Sequence, residues 1–160
     1  MTKINKLITT KLIFIISIVA LASAFFIEHV LGHQPCNLCI MERIPYLLAI
    51  VIVLLNYKFI RFEKYFILVL TLIFLAATAL SLYHLGIEQG YIKESLFCEL
   101  NKGSNLLTKE DILKQLQQKQ ISCQDVTFKI FGLSLTSYNI LISLIISIST
   151  AKIYFNYDKS

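Results

Sequence analysis

Charged side chains are scarce in this sequence: 16% of its 160 residues, where a water-soluble domain carries about a quarter. Hydrophobic residues make up 56%, and the mean hydropathy is +0.69. That balance excludes an ordinary soluble domain and points to lipid as the solvent. The sequence also lacks a glycine-rich dinucleotide fingerprint and a P-loop, so a bound nucleotide has no support. Its lysines flank apolar runs and form no stripe interleaved with aromatics. The net charge of +5 is therefore read as topological, and no nucleic-acid partner is expected. Internal repeats and low-complexity segments are absent, and the length suits one domain over residues 1–160.

What is present is four apolar runs, at about 12–31, 39–57, 65–85 and 130–154. At ~1.5 Å per residue each is long enough to cross a hydrocarbon core as a helix. Lys3, Lys6 and Lys11 precede the first run, and Ala22-Ser23-Ala24 resembles a signal-peptidase site. The run continues through Phe25, Phe26 and Ile27 where a polar region should precede cleavage, so an uncleaved first helix is expected. The second run reaches spanning length only if it starts at Cys39, which places Pro45 one or two turns inside and predicts a kink.

The expected fold is an all-α, integral membrane four-helix bundle with two outward loops, about 32–38 and 86–129. The second loop carries six acidic and six basic side chains, a helix-start pattern at Thr108-Lys109-Glu110-Asp111, and Ile112, Leu113 and Leu116 on one face. These predict a short amphipathic helix, lying on the membrane surface or simply solvated in the loop. Lysine and arginine gather at the N-terminus, at Lys58, Arg61 and Lys64, and at Lys152 and Lys159; the opposite short loop offers Arg43 alone. By the positive-inside rule both termini are cytoplasmic, and all four cysteines face outward.

Cys36 and Cys39 form a Cys-x-x-Cys pair, whose common uses are half a zinc site, a redox dithiol, or a haem attachment when histidine follows. Ile40 follows, which removes the haem reading. Cys98 and Cys123 have 24 residues between them and lack the short ligand spacing of a zinc ribbon, so no metal site is expected. Outside a bacterial-type membrane thiols meet an oxidising compartment, and two inert structural bridges remain an alternative.

Redox work is favoured by the tight ring a Cys-x-x-Cys disulfide closes and by its place at a helix N-terminus, where thiolate is stabilised. Arg43 lies four residues past Cys39, on the same face if the helix has already begun, and a guanidinium there favours a Cys39 thiolate or the oxygen of an acceptor. Otherwise Arg43 is an interfacial snorkelling residue. His84 stands at the outer end of the third run, either as a polar interface residue or within reach of the same acceptor. Glu28, His29 and His33 lie nearby in a spacing that matches no metal motif. A lipid-soluble quinone is the natural electron acceptor by location alone. A carboxylate inside a membrane is often functional, so a small transporter using Glu28 is the competing reading from another class.

Taken in order, Pro35-Cys36, Cys39, Glu42-Arg43, Tyr83-His84, Gly86-Ile87-Glu88, Gly132-Leu133-Ser134-Leu135 and Asn139 resemble segments of the DsbB family, the quinone-linked disulfide bond formation proteins of bacterial inner membranes. The resemblance implies a thiol:quinone oxidoreductase that takes electrons from a periplasmic DsbA-like, thioredoxin-fold oxidase. It passes them to ubiquinone or menaquinone in the membrane pool, and so indirectly to the respiratory chain. Such a protein acts in the chaperone sense, supporting disulfide formation in other chains. It implies disulfides Cys36–Cys39 and Cys98–Cys123, with Cys98 meeting the partner and Cys123 exchanging with Cys36. The Cys39 thiolate would contact the quinone, Arg43 would polarise it, and His84 resembles a quinone-pocket residue. Phe128 stands where a tryptophan is expected, and the chain has no tryptophan at all.

Overall fold

A computed structural model describes residues 3–93, 98, 123, 129–130 and 132–157. The expected amphipathic helix at 108–116 and the Phe128 position lie outside the described residues. Helix α1 runs Lys3–His29, α2 Asn37–Met41, α3 Ile44–Lys58 and α4 Glu63–Glu88; after a strand pair, β1 Lys129–Ile130 and β2 Leu133–Ser134, α5 covers Leu135–Phe155. Four helical spans, counting α2 and α3 together, are long and apolar enough to cross a membrane. They make this a multi-pass membrane protein.

Each helix buries one narrow stripe and leaves the rest of its apolar surface outward. On α1 the buried positions are Ile13, Ser17 and Leu21, while Leu12, Ile15, Val19, Phe25 and Phe26 are exposed. A helix that is apolar all round belongs in lipid. The α4–α5 seam is lined by Thr78, Ser81, Ser143, Ser147 and Thr150 beside Phe74, Ala77 and Ile146. Small side chains let two backbones approach, which is how membrane helices gain packing without a hydrophobic driving force. Helix α4 accordingly runs closely along α5 and α1 along α3, whereas α1 and α5 scarcely touch.

Helix ends differ from the expected ones for local reasons. The second span is interrupted at Glu42–Arg43. Pro45 has no N–H to give the Met41 carbonyl, and its ring crowds that oxygen, so the chain breaks ahead of the proline and restarts. The fourth helix begins at Leu135 instead of about 130, because Gly132 at φ 81° turns the chain back into the β1–β2 pair. Ser134 then caps α5, its hydroxyl accepting from the Ser137 N–H at 3.4 Å. Helix α4 outruns its apolar run to reach Glu88, ending where Gly90 at φ 77° donates to the Ile87 carbonyl.

The two ends of the bundle are chemically distinct. At one, Lys6 lies 3.7 Å over the Tyr157 ring and the Tyr157 hydroxyl donates to Glu63 at 3.1 Å. At the other sit the cysteines.

Candidate functional site

Cys36 is the N-cap of α2. Its sulfur accepts the Cys39 backbone N–H at 3.2 Å, and its carbonyl accepts from Ile40. The capping role follows from the spacing, since the third residue past an N-cap presents a free N–H. Cys36 is buried and Cys39 half-buried, both as thiols, so the Cys36–Cys39 bond expected of the resting protein is not made here. Cys98 and Cys123 are joined in a disulfide, with Cα atoms 6.0 Å apart. All four cysteines belong to one cluster, where Cys36 and Cys123 pack with Leu38 and Ile87, and Cys39 and Cys98 lean on it. The Asn37 amide donates to the Cys98 carbonyl at 3.3 Å and fastens the two cysteine segments together.

His84, 1% exposed on α4, stands directly behind Cys36. Its Nε2 lies 3.6 Å from the Cys36 sulfur and its Nδ1 is 2.9 Å from Glu42 Oε1. Facing a carboxylate, Nδ1 carries the proton and donates it. The Cys36 thiol is held well below the usual thiol range, chiefly by the hydrogen bond from the Cys39 thiol and further by His84; burial opposes both. The anion-stabilising groups therefore converge on Cys36.

Around His84 lies a polar network. Asn139 donates to Glu42 Oε2 at 3.0 Å and to Ser81 at 2.8 Å, while accepting from the Tyr46 hydroxyl. Thr136 donates to Glu88 at 2.5 Å, and Glu88 Oε1 is 3.8 Å from His84 Nε2. Sequence reasoning gave no role to Glu42, Tyr46, Glu88, Thr136 or Asn139. The available signal was a carboxylate and an amide inside otherwise apolar spans, which are costly there unless partnered.

Arg43 pairs with Glu28 at 2.6 Å and lies 5.3 Å over the Phe25 ring. The turn at Glu42–Arg43 separates it from the helical register of Cys39, yet both residues line one cavity of about 560 Å³. That cavity fills the gap between α1 and α5, with apolar walls from Ile16, Ala20, Ile142 and Ile146. Its polar end holds Cys39, Glu42, Arg43, Tyr46 and Asn139. His84 is not on its wall; it touches the site from behind, through Cys36 and Glu42. His29 bonds the Phe25 carbonyl, and His33 lines the cavity.

Comparison with known proteins agrees with this arrangement. The chain is similar to an uncharacterized protein, RP370, of Rickettsia prowazekii (strain Madrid E), with 33% identity over 147 residues, 91% of this chain and 85% of that one. Residues 7–153 match the family described as Disulfide bond formation protein DsbB. The match runs from within α1 to within α5 and takes in the whole cysteine cluster, so the chain belongs to the DsbB family of membrane disulfide bond formation oxidoreductases.

Proposed function

We propose that this protein moves electron pairs from a periplasmic DsbA-like dithiol oxidase to a quinone of the bacterial inner membrane. The observation that carries the reading is the gathering of four cysteines into one buried cluster beside a cavity that opens among apolar helices. Inert bridges would not need Cys36 and Cys39 free against a histidine, and Glu28 is charge-paired with Arg43, where a transporter would need it facing the cavity.

The exchange proceeds in balanced steps. A thiolate of the partner attacks Cys98, breaking Cys98–Cys123, and its second thiol resolves the mixed disulfide, leaving the partner oxidised and Cys98 and Cys123 as thiols. Cys123 then attacks Cys36 of a Cys36–Cys39 disulfide and releases Cys39; Cys98 closes the outer pair again. Packing of Cys123 against Cys36 supports this route. Cys36 and Cys39 now hold the two electrons. A quinone, ubiquinone or menaquinone, supplies a two-electron, two-proton acceptor. The cavity suits its shape: a polar end for a carbonyl-bearing ring, with Cys39, Arg43 and Asn139 to meet it, and apolar walls for a tail. His84 acts on Cys36, holding its sulfur anionic from behind. Both termini face the cytoplasm and the respiratory chain re-oxidises the pool.

The test is anaerobic mixing of the purified protein with a short-chain quinone and a reduced thioredoxin-fold oxidase. One dithiol should disappear per quinone reduced, catalytically. Loss of thiols with no quinone consumed, or no reaction, would sink the reading.

A further inference from the structure

Sequence spacing argued against zinc because the second cysteine pair cannot complete a ribbon. The fold supplies a third ligand from elsewhere. One sulfur from each of Cys36 and Cys39 and a ring nitrogen of His84 all lie within 4.8 Å of one another. We propose that, in the dithiol state, Cys36, Cys39 and His84 bind a thiophilic divalent cation, Zn²⁺, which withdraws the dithiol from disulfide exchange.

The distances suit the ion. With Zn–S near 2.3 Å and Zn–N near 2.05 Å, tetrahedral geometry puts sulfur and nitrogen about 3.5 Å apart; Cys36 Sγ and His84 Nε2 are 3.6 Å apart. The Cys39 sulfur lies within 4.8 Å of both other ligand atoms, and Cys39 is the half-buried member that lines the cavity. Charge is matched as well. Two thiolates and a neutral imidazole cancel the charge of the ion, and the carboxylates of Glu42 and Glu88 behind His84 add to its attraction for a cation. The histidine is held as metal-binding histidines usually are, its far nitrogen donating to a carboxylate: Nδ1 to Glu42 at 2.9 Å. Three protein ligands leave a fourth position for water.

Binding is not a redox step. Zn²⁺ displaces two protons, the one shared between the Cys36 sulfur and His84 Nε2 and the one on Cys39, forming two Zn–S bonds and one Zn–N bond, and both protons go to solvent. The disulfide form has no thiolate to offer. The ion therefore competes with re-oxidation of the dithiol, and only this consequence rests on the redox function proposed above.

The experiment uses the full chain in detergent with Cys98→Ser and Cys123→Ser, so that only Cys36 and Cys39 report. Zinc is titrated against a chromophoric chelator after reduction with a phosphine, and again after oxidation. One zinc per reduced chain and none per oxidised chain is expected. Glu42→Gln should weaken binding about 10- to 100-fold, and His84→Ala more. Because these variants disturb a buried network, Co²⁺ added to the unsubstituted, reduced protein gives an independent reading. Thiolate-to-cobalt charge-transfer absorption of two sulfurs in a tetrahedral field is expected, and its absence would overturn the proposal. Equal zinc binding by oxidised protein, or binding indifferent to His84→Ala in a variant that retains its helical circular dichroism, would overturn it too. Quinone-coupled thiol oxidation by zinc-free wild type is assayed separately. If that activity is missing while the titration succeeds, the redox reading falls and the metal site stands.

Discussion

Replacing Cys39 by alanine removes the main donor that holds Cys36 as an anion. In the reduced protein, alkylation of Cys36 should stay fast as pH falls well below the ordinary thiol value of about 8.5. In Cys39→Ala the rate should start to fall at a clearly higher pH, and His84→Ala should shift it in the same direction by less. Mass spectrometry after timed alkylation gives both profiles; coincident profiles for wild type and Cys39→Ala would contradict the assignment. Arg43 makes a different case. Arg43→Lys keeps the charge but loses the planar fork that meets Glu28, and Arg43→Ala loses both. Quinone KM should rise in that order, with a rise of about tenfold corresponding to ~1.4 kcal/mol. Exchange between the two cysteine pairs should change much less, since it needs no quinone. The cysteines and Arg43 stood out in the sequence by spacing and His84 by its place at the end of an apolar run, and the structure brings them to one end of the bundle. Glu42 and Asn139 entered the sequence reading only as parts of the resemblance, without a role, and Thr136 not at all, because the contacts that give them meaning join residues 42 to 97 positions apart.

Among the helices, existence was legible and the ends were not. Crossing a bilayer demands long apolar runs, and four such runs stand out. Where a helix starts or stops is decided by single residues whose effect is geometric. Pro45 splits the second span, Gly90 stops α4 just after Glu88 has reached Thr136, and Ser134 delays α5. Pro45→Ala restores the missing donor and should fuse α2 with α3, moving Arg43 relative to Cys39. Thermal stability is expected to change little, since Pro45 stands in the first turn of α3 where proline is tolerated, while quinone KM rises. A fused helix with unchanged KM would mean that the break serves no purpose at the cavity. Gly90→Ala places a side chain at φ 77° and should destabilise by about 1 kcal/mol or more, read as a lower Tm.

For the whole molecule, the start of α1 and the end of α5 meet at one end of the bundle, where Lys6 lies over Tyr157. Lysine and arginine gather there: Lys6 and Lys11, Lys58 to Lys64, and Lys152. Activity reporters fused after Ser160 and within the long connection at Ser104 should give opposite signals, and matching signals would break the topology. The thin contact between α1 and α5 has a further consequence. Ile15, Val19 and Ile145, all exposed, form the lips of the cavity there, so its doorway faces acyl chains instead of water. A compound entering by that doorway arrives by diffusion in a plane. Its occupancy follows its mole fraction among the lipids, not its molarity in the buffer. Diluting the same amount of protein and quinone with extra lipid, at constant aqueous volume, should lower occupancy as surely as diluting a solute.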